Sequence, residues 1–468
     1  MESDKERLNL KREVGIIGAV SFIAGTMMGS GIFISPQYVL STIGSPGASL
    51  IIWACCGLIA MLGGLCYAEL GTVIPESGGE YVYILRTAGK VVAFMFVFSF
   101  IIVMRPASAT GIALSFAEYA VAPFYNSCTP PQLVVKTVAA AAIVVLAIVN
   151  CLSVRLATSI QVVSMVVKLL ALAVIILGGV VMLIQGHNED SDYSFEGTHA
   201  GVSSIGIAFY QGLWSYDGWN TLNYLTEELK HPEVNLPRAV VIAISLVTGL
   251  YVLVNVSYLT VMTPKELVSS SAVAVTWGNK VLGSWGWIMS VAAALSAFGS
   301  LNGTFFSGGR VCFVAAREGH MPDILAMAHI HRLTPSPALI FTTVVSLVVL
   351  IPGDFQSIVN FFSFTAWFFY AITLSGLLYL KIKKPELPRP YRVPIILPIL
   401  VLIAAVFLVL APIIDDPQIE YLYVTLFILS GAIVYIPFIH YKLCPGLLTK
   451  LTVFLQLFLE VAPAEKNL

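Results

Sequence analysis

The sequence predicts an all-α membrane protein in which twelve helices cross the bilayer. Hydrophobic residues make up 58% of the chain and charged residues only 11%, whereas soluble domains carry roughly 25% charged residues. Apolar runs of about 20 residues, the length that spans a bilayer, recur along the whole chain. Clusters of basic residues lie in alternate connections between these runs, as is typical of multi-pass membrane proteins.

The twelve apolar runs divide the chain into three parts. Residues 1–13 form a polar N-terminal tail, residues 14–442 hold the twelve helices, and residues 443–468 form a C-terminal segment. Each run is expected to form one helix, because unpaired backbone groups are costly in hydrocarbon. We expect these helices to begin near Val14, Leu50, Val91, Leu133, Ala157, Val202, Ala239, Val281, Pro337, Ile358, Val393 and Tyr421.

The distribution of charge predicts the orientation of the helices. Basic residues precede the first helix and follow the second, fourth, sixth, eighth and tenth, where the longest cluster reads KIKKPELPRPYR. The connections after the fifth and eleventh helices read GHNEDSDYSFEGTH and IIDDPQIE, and both are acidic. Since basic connections stay in the cytoplasm, both termini are expected to be cytoplasmic.

The first helix contains a stretch that should interrupt it, GTMMGSGIFISP from Gly25 to Pro36. A membrane helix can be broken where the freed backbone groups line a cavity or face protein. Half-helix ends then offer N–H groups to an anion and carbonyls to a cation. The alternative is a close helix–helix contact, because Gly25 and Gly29 have the spacing of a small-xxx-small packing motif.

A second interruption favours the binding-site interpretation. In the sixth helix, FYQGLWSYDGWN places Gly212 and Gly218 on either side of Trp214 and Asp217. The first and sixth helices open two sets of five helices. Breaks at matching positions of two halves are the best sequence indication of a midplane substrate site in an inverted-repeat transporter.

One cysteine lies in a connection on the predicted outer face. Cys128 occurs in YNSCTPPQ after the third helix, while Cys444 falls on the cytoplasmic side. A lone cysteine in an oxidising compartment suggests either an intermolecular disulfide or a free thiol, and the residues alone leave both open.

Several motifs resemble the amino acid–polyamine–cation transporter superfamily, and within it the light subunits of heteromeric amino acid transporters. They are GSGIFISP, AELGTVIPESGGEY, GLWSYDGWN, NLPRA, VAAREGHMP and FFSFTAWFFY. SYDGWN and FYNSCTPPQ most resemble the b-zero-plus type, a cystine and dibasic amino acid exchanger, with an aromatic-preferring relative as the alternative. The resemblance implies a LeuT-like fold with a 5+5 inverted repeat, two appended helices, and helices 1 and 6 unwound.

The resemblance also implies an activity and a partner. The activity is sodium-independent exchange of cationic amino acids and cystine for neutral amino acids at the plasma membrane, with the apical membrane of epithelial cells as the expected location. The implied partner is a single-pass glycoprotein heavy chain, rBAT first, linked by a disulfide at Cys128.

Site residues follow from the same resemblance. N–H groups around Ser30, Gly31 and Ile32 would bind the substrate carboxylate, and carbonyls near Thr26 and Trp214 would bind its ammonium. Asp217 would select cationic side chains, since carboxylates inside membrane segments are functional by default. The alternative is a structural anion bonded to the unwound backbone.

Other residues complete the predicted site. Trp214 is expected to close over the substrate as a gate, with plain packing as the alternative. Lys168 would replace a sodium ion, with a salt bridge as the alternative. The predicted pocket walls are Ser108, Phe305 and Ser363, and Arg105 should face the bundle interior.

Phe305 is bulkier than the b-zero-plus type usually has, and Met27–Met28 replaces smaller branched residues. These departures leave the substrate preference open.

Other function classes find little support. The sequence has no GxxxxGK[ST] motif for nucleotide binding and no HExxH metal motif, so a membrane enzyme is disfavoured and no cofactor or metal is expected. The net charge of −1 gives no indication of nucleic-acid binding. A channel would need an open polar path, whereas the lone charges here lie on separate predicted helices.

Overall fold

The fold is described from a computed structural model. It describes residues 12–29, 31–125, 130–186, 194–270, 272–320, 327–329, 334–351, 355–414, 419–436 and 445–463. Ser30 and Cys128 therefore lie outside the described residues.

Within these residues the chain is almost entirely helical. The helices are α1 (Ile16–Met27), α2 (Gly31–Ile43), α3 (Pro46–Val73), α4 (Glu80–Thr87), α5 (Lys90–Ser99), α6 (Arg105–Val121), α7 (Gln132–Leu152), α8 (Val154–Ile184), α9 (Val202–Ser215), α10 (Pro232–Val261), α11 (Pro264–Ser269), α12 (Val273–Val281), α13 (Trp287–Arg317), α14 (Ser336–Leu350), α15 (Phe355–Lys383), α16 (Ile396–Ile414), α17 (Ile419–Tyr435) and α18 (Pro445–Leu459). Two short strands, β1 (Met327–His329) and β2 (Val461–Pro463), pair antiparallel.

The described helices support a membrane-spanning protein. Eight helical segments, one of which runs through α5 and α6, are long and apolar enough to cross a bilayer, and the number becomes nine if the bent pair α1–α2 counts as one span. Their outward faces carry many exposed large apolar side chains, including Leu170, Leu177 and Ile403. Apolar surface of this kind is stable when lipid covers it.

The starts of two helices differ most from those predicted. α10 begins at Pro232 rather than near Ala239, and α13 begins at Trp287 rather than near Val281. Hydropathy misplaced the start of α10 because its first turns, PEVNLPR, are polar although they are helical. Proline at the first helical position has no N–H to satisfy, so it is well suited to begin this helix.

The predicted sixth helix is only half formed. α9 ends at Ser215, and the chain then continues through short 3₁₀ turns at Thr221–Tyr224 and Thr226–Glu228. Gly218 has φ +111°, a conformation that costs other residues considerably more than glycine. The break that the glycines predicted is therefore present, but no α-helix resumes before Pro232.

The first helix is broken as expected. α1 ends at Met27, α2 begins at Gly31, and the two axes differ in direction by 42°. α1 packs against α8, α10 and α13, while α2 packs against α9. The break consequently lies in the centre of the bundle, where neighbouring helices can satisfy its freed backbone groups.

Candidate functional site

The two breaks lie directly against each other. A Cβ atom built on Gly218 would lie 2.9 Å from Thr26 Cβ and 3.3 Å from the Met27 nitrogen. A Cβ atom built on Gly31 would lie 2.9 Å from Ser215 Cα. Glycine at both positions therefore allows one backbone to approach the other.

Hydroxyl groups from neighbouring helices satisfy the carbonyls freed at the breaks. The Tyr251 hydroxyl lies 2.5 Å from the Met27 oxygen and 2.8 Å from the Ser215 oxygen, so one side chain contacts both breaks and can donate its single proton to either carbonyl. From α13, Ser300 Oγ donates to the Thr26 oxygen at 3.0 Å and Ser296 Oγ donates to the Met28 oxygen at 2.8 Å. Carbonyls that would be unpaired in hydrocarbon thus have protein donors.

A small cavity lies where the breaks meet. Its open volume is about 20 Å³, roughly the room that one water molecule needs. A second small cavity adjoins it and shares Trp214 and Asp217 with it. The first is lined by Thr26, Met27, Gly29, Gly31, Ile112, Trp214, Asp217, Ser300 and Thr304, and the second by Leu213, Trp214, Asp217, Trp219, Phe362, Ser363, Ala366, Trp367 and Tyr370.

Asp217 faces a buried arginine that sequence reasoning did not pair with it. The Arg105 Nη1 atom lies 3.9 Å from Asp217 Oδ2, and the two side chains are 4% and 17% exposed. The guanidinium carbon lies 4.9 Å from the centre of the Phe100 ring and 5.5 Å from that of Tyr224. The prediction that Arg105 faces the bundle interior is confirmed.

Trp214 packs against an aromatic ring from α15, and both rings line the second cavity. The Trp214 and Phe362 ring centres lie 5.5 Å apart at 90°, a favourable edge-to-face arrangement. Trp214 is 7% exposed. Any movement of this pair would change the size of both cavities, because Trp214 lines each of them.

Lys168 reaches the end of α1 from α8. Its fully buried ammonium donates a hydrogen bond to the Gly25 oxygen. A Cβ atom on Gly299 would lie 2.9 Å from the ammonium nitrogen, so α13 also contacts it. Within the described part of the chain, no carboxylate oxygen lies within 4.0 Å of this ammonium.

A chain of buried amides supports the same region. Gln161 Nε2 donates to Thr26 Oγ1 at 3.4 Å, and Asn302 Nδ2 donates to Gln161 Oε1 at 2.8 Å. Asn150 Nδ2 continues the chain by donating to Asn302 Oδ1 at 3.0 Å. These bonds link α1 to α8, α13 and α7, which fixes the position of Thr26 beside the cavity.

A group of ion pairs joins the turn Thr226–Glu228 to α13. Glu228 accepts two hydrogen bonds from Arg310, at 2.7 and 2.9 Å, and Glu227 accepts two from Arg317, at 3.0 and 2.8 Å. Both carboxylates are fully buried. Two-point contacts of this kind hold the chain that follows the second break.

The predicted site residues are only partly brought together. Thr26, Gly31, Trp214 and Asp217 line the first cavity, and Ser363 lines the second. Ile32 is buried in the first turn of α2. Ser108 and Phe305 are also buried, but neither is among the described residues that line the two cavities.

Sequence reasoning missed the side chains that support the backbone. Ser300 and Thr304 line the cavity in place of Phe305, and the sequence NGTF does place Thr304 one position before it. The sequence did not indicate Tyr251 as a hydrogen-bond donor, because a tyrosine in an apolar helix is more often a packing residue than a donor to a distant break.

Comparison with known proteins identifies the family. The family described as amino acid permease matches residues 14–438. The chain is 50% identical over 461 residues to the human b(0,+)-type amino acid transporter 1, which covers 98% of this chain and 95% of that protein. The mouse protein of the same name is also 50% identical over 461 residues.

A relative with a different name matches less closely. The human large neutral amino acids transporter small subunit 2 is 43% identical over 413 residues, 87% of this chain and 77% of that protein. These matches confirm the resemblance that the motifs indicated. The chain belongs to the amino acid permease family, whose members are transporters rather than enzymes.

Proposed function

We propose that this chain is a sodium-independent amino acid exchanger that moves cationic amino acids and cystine in one direction and neutral amino acids in the other. The observation that carries the proposal is the contact between two broken helices, Gly218 against Thr26 and Gly31 against Ser215. Backbone N–H and carbonyl groups at such breaks can bind the two charged ends of any amino acid.

The substrate carboxylate would bind at the start of α2. The first N–H groups of a helix have no partner within it and lie at the positive end of its dipole. Gly31 and Ile32 occupy this turn, with Ser30 proposed beside them. The ammonium would bind carbonyls near Thr26 and Trp214, since a carbonyl oxygen has two lone pairs and Ser300 uses only one at Thr26.

The substrate side chain would extend toward Asp217. This carboxylate lies at the junction of the two cavities, where a guanidinium or ammonium could pair with it. Ser363 lines the adjoining cavity, while Ser108 and Phe305 would act from behind the lining residues. The b(0,+)-type name of relatives at 50% identity supports the same substrate class.

A preference for neutral or aromatic amino acids is the second candidate. Arg105 already supplies a positive charge 3.9 Å from Asp217, so a neutral side chain could bind without leaving this carboxylate unbalanced. A relative named for large neutral amino acids is 43% identical.

Independence from sodium rests on Lys168. Its ammonium donates to the Gly25 oxygen between α1 and α13, and it would supply there the positive charge that a sodium ion supplies in coupled members of the fold. Trp214 would act as the gate, since it lines both cavities and packs against Phe362.

We further propose a LeuT-like fold with twelve crossings. Residues 1–13 and 443–468 would be cytoplasmic, and residues 14–442 would hold two inverted repeats of five helices followed by two more. The bent pair α1–α2 and the half-formed helix at α9 support this arrangement, because they occupy the opening positions of the two repeats.

A heavy-chain partner is proposed on two grounds. One relative is named as a small subunit, and Cys128 is the one cysteine on the proposed outer face. We propose a disulfide from Cys128 to a single-pass glycoprotein, with rBAT as first choice, at the plasma membrane and in epithelia at the apical side.

The transport proposal is tested with the full chain in proteoliposomes loaded with labelled leucine. In sodium-free buffer, external arginine, cystine and leucine should each release the label, and replacing choline by sodium should not change the rate. Release without external amino acid would exclude obligatory exchange. Release by tyrosine but not by arginine would favour the second candidate.

Asp217→Asn should weaken arginine transport more than leucine transport. Removing a charge-assisted contact to the substrate should raise the KM for arginine relative to leucine by about tenfold or more. The measurement is the KM of each substrate in the same liposomes. Glu118→Gln, an exposed carboxylate on α6, is the matched control. Equal losses for both substrates would remove the selectivity role.

Cys128→Ser should abolish the link to the heavy chain. A non-reducing gel of membranes that contain both proteins should lose its high-mass band, while Cys55→Ser, a change at a free cysteine inside α3, should keep it. A band that persists in Cys128→Ser and still disappears on reduction would assign the disulfide to another cysteine.

A further inference from the structure

The proposed exchange creates a problem of charge balance in the binding site. One site would have to hold a side chain of charge +1 in one direction and an uncharged side chain in the other. A carboxylate that is mostly buried is unfavourable without a counter-charge. Asp217 would therefore be balanced by a cationic substrate and left unbalanced by a neutral one, unless the protein supplies its own cation.

Arg105 is placed to supply that cation. Its Nη1 atom lies 3.9 Å from Asp217 Oδ2, which is close enough for strong attraction but too long for a hydrogen bond. Its Nε atom has no hydrogen-bond partner among the described residues. The contact is therefore a loose one that a substrate ammonium could replace without breaking a two-point ion pair.

The backbone and two aromatic rings hold the guanidinium behind the cavity. A π-helical turn, Phe100–Met104, immediately precedes Arg105 and interrupts the regular helix, and such turns are frequent at functional sites. The guanidinium lies over the Phe100 and Tyr224 rings. Arg105 does not itself line either cavity, so it would act on the substrate through Asp217.

A second carboxylate lies behind Arg105. Glu80 is fully buried and accepts a hydrogen bond from Asn220, whose Nδ2 atom also lies 3.2 Å from the Tyr224 hydroxyl. Its carboxylate and the Arg105 guanidinium attract each other electrostatically. Arg105 would therefore keep a counter-charge when Asp217 pairs with a substrate.

We infer that Arg105 is a specificity-determining residue that balances the charge of Asp217 whenever the bound amino acid is neutral. It lets one site accept both members of the exchanged pair. The inference rests on the proposed function and adds to it the residue that makes neutral substrates acceptable.

The test is a double-mutant cycle on the full chain in proteoliposomes. Arg105→Gln should raise the KM for leucine by about tenfold relative to arginine, because a neutral substrate then leaves Asp217 unbalanced. Adding Asp217→Asn should return the KM for leucine toward its wild-type value and leave the KM for arginine above its wild-type value. Arg317→Gln is the matched control, a largely buried arginine that pairs with Glu227 and packs near the Phe313 ring, and it should leave the leucine-to-arginine ratio unchanged.

A purely structural role for Arg105 predicts a different pattern. Arg105→Gln would then raise the KM for leucine and the KM for arginine by the same factor, and the second substitution would not restore leucine transport. This result would overturn the inference. Arg105→Lys keeps the charge and should keep the wild-type ratio even if Arg105→Gln does not fold. If folded Arg105→Lys had a raised KM for leucine relative to arginine, this result would also contradict the inference.

Ligand-induced thermal stabilisation of the purified variants separates this inference from the transport proposal. If the wild type binds leucine but not arginine, the proposed exchange fails. Loss of leucine binding in Arg105→Gln and its recovery in the double variant would still support charge balance at Asp217.

Discussion

The rest of the structure depends on the hydrogen bonds that side-chain hydroxyls donate to the backbone carbonyls at the two helix breaks. The Tyr251 hydroxyl lies within hydrogen-bond distance of both the Met27 and the Ser215 carbonyls, and Ser296 and Ser300 donate to the carbonyls on either side of Met27. Without these donors, the broken segments would leave carbonyls unpaired in an apolar interior, which costs several kcal/mol per group. The donors therefore make it possible for bare backbone to face a cavity.

The same arrangement explains the chemistry expected of the site. Backbone groups at helix ends can recognise the carboxylate and ammonium that all amino acids share, and this leaves side-chain selection to a few residues. In the proposed site, Asp217 and Arg105 would form the charged part of that selection, and Trp214 with Phe362 would form the aromatic part. The division suits a family whose members transport different amino acids.

The sequence was sufficient to predict the breaks but not the groups that support them. Gly218 and Gly31 indicated the breaks, because glycine in a membrane helix marks backbone that is irregular or that another segment approaches closely. Tyr251 and Ser300 lie more than 200 positions from Met27 and Thr26, and nothing local to them distinguishes a donor from a packing residue. The pairing of Arg105 with Asp217 was missed for the same reason. The start of α10 was misplaced because its first turns are polar, and hydropathy alone assigns polar residues to a connection.

The most direct test of this account is hydrogen–deuterium exchange of the full chain in lipid nanodiscs, followed by mass spectrometry. Tyr251→Phe should speed exchange in peptides that cover residues 24–32 and 213–222 and leave the middle of α10 protected. The matched control is Tyr210→Phe, which removes a buried hydroxyl bonded to the Leu408 oxygen and should not affect these peptides. Saturating leucine or arginine should slow exchange at the start of α2 in the wild type. The account would be contradicted if both segments were as protected as α10 in wild type and Tyr251→Phe alike, with no response to either amino acid.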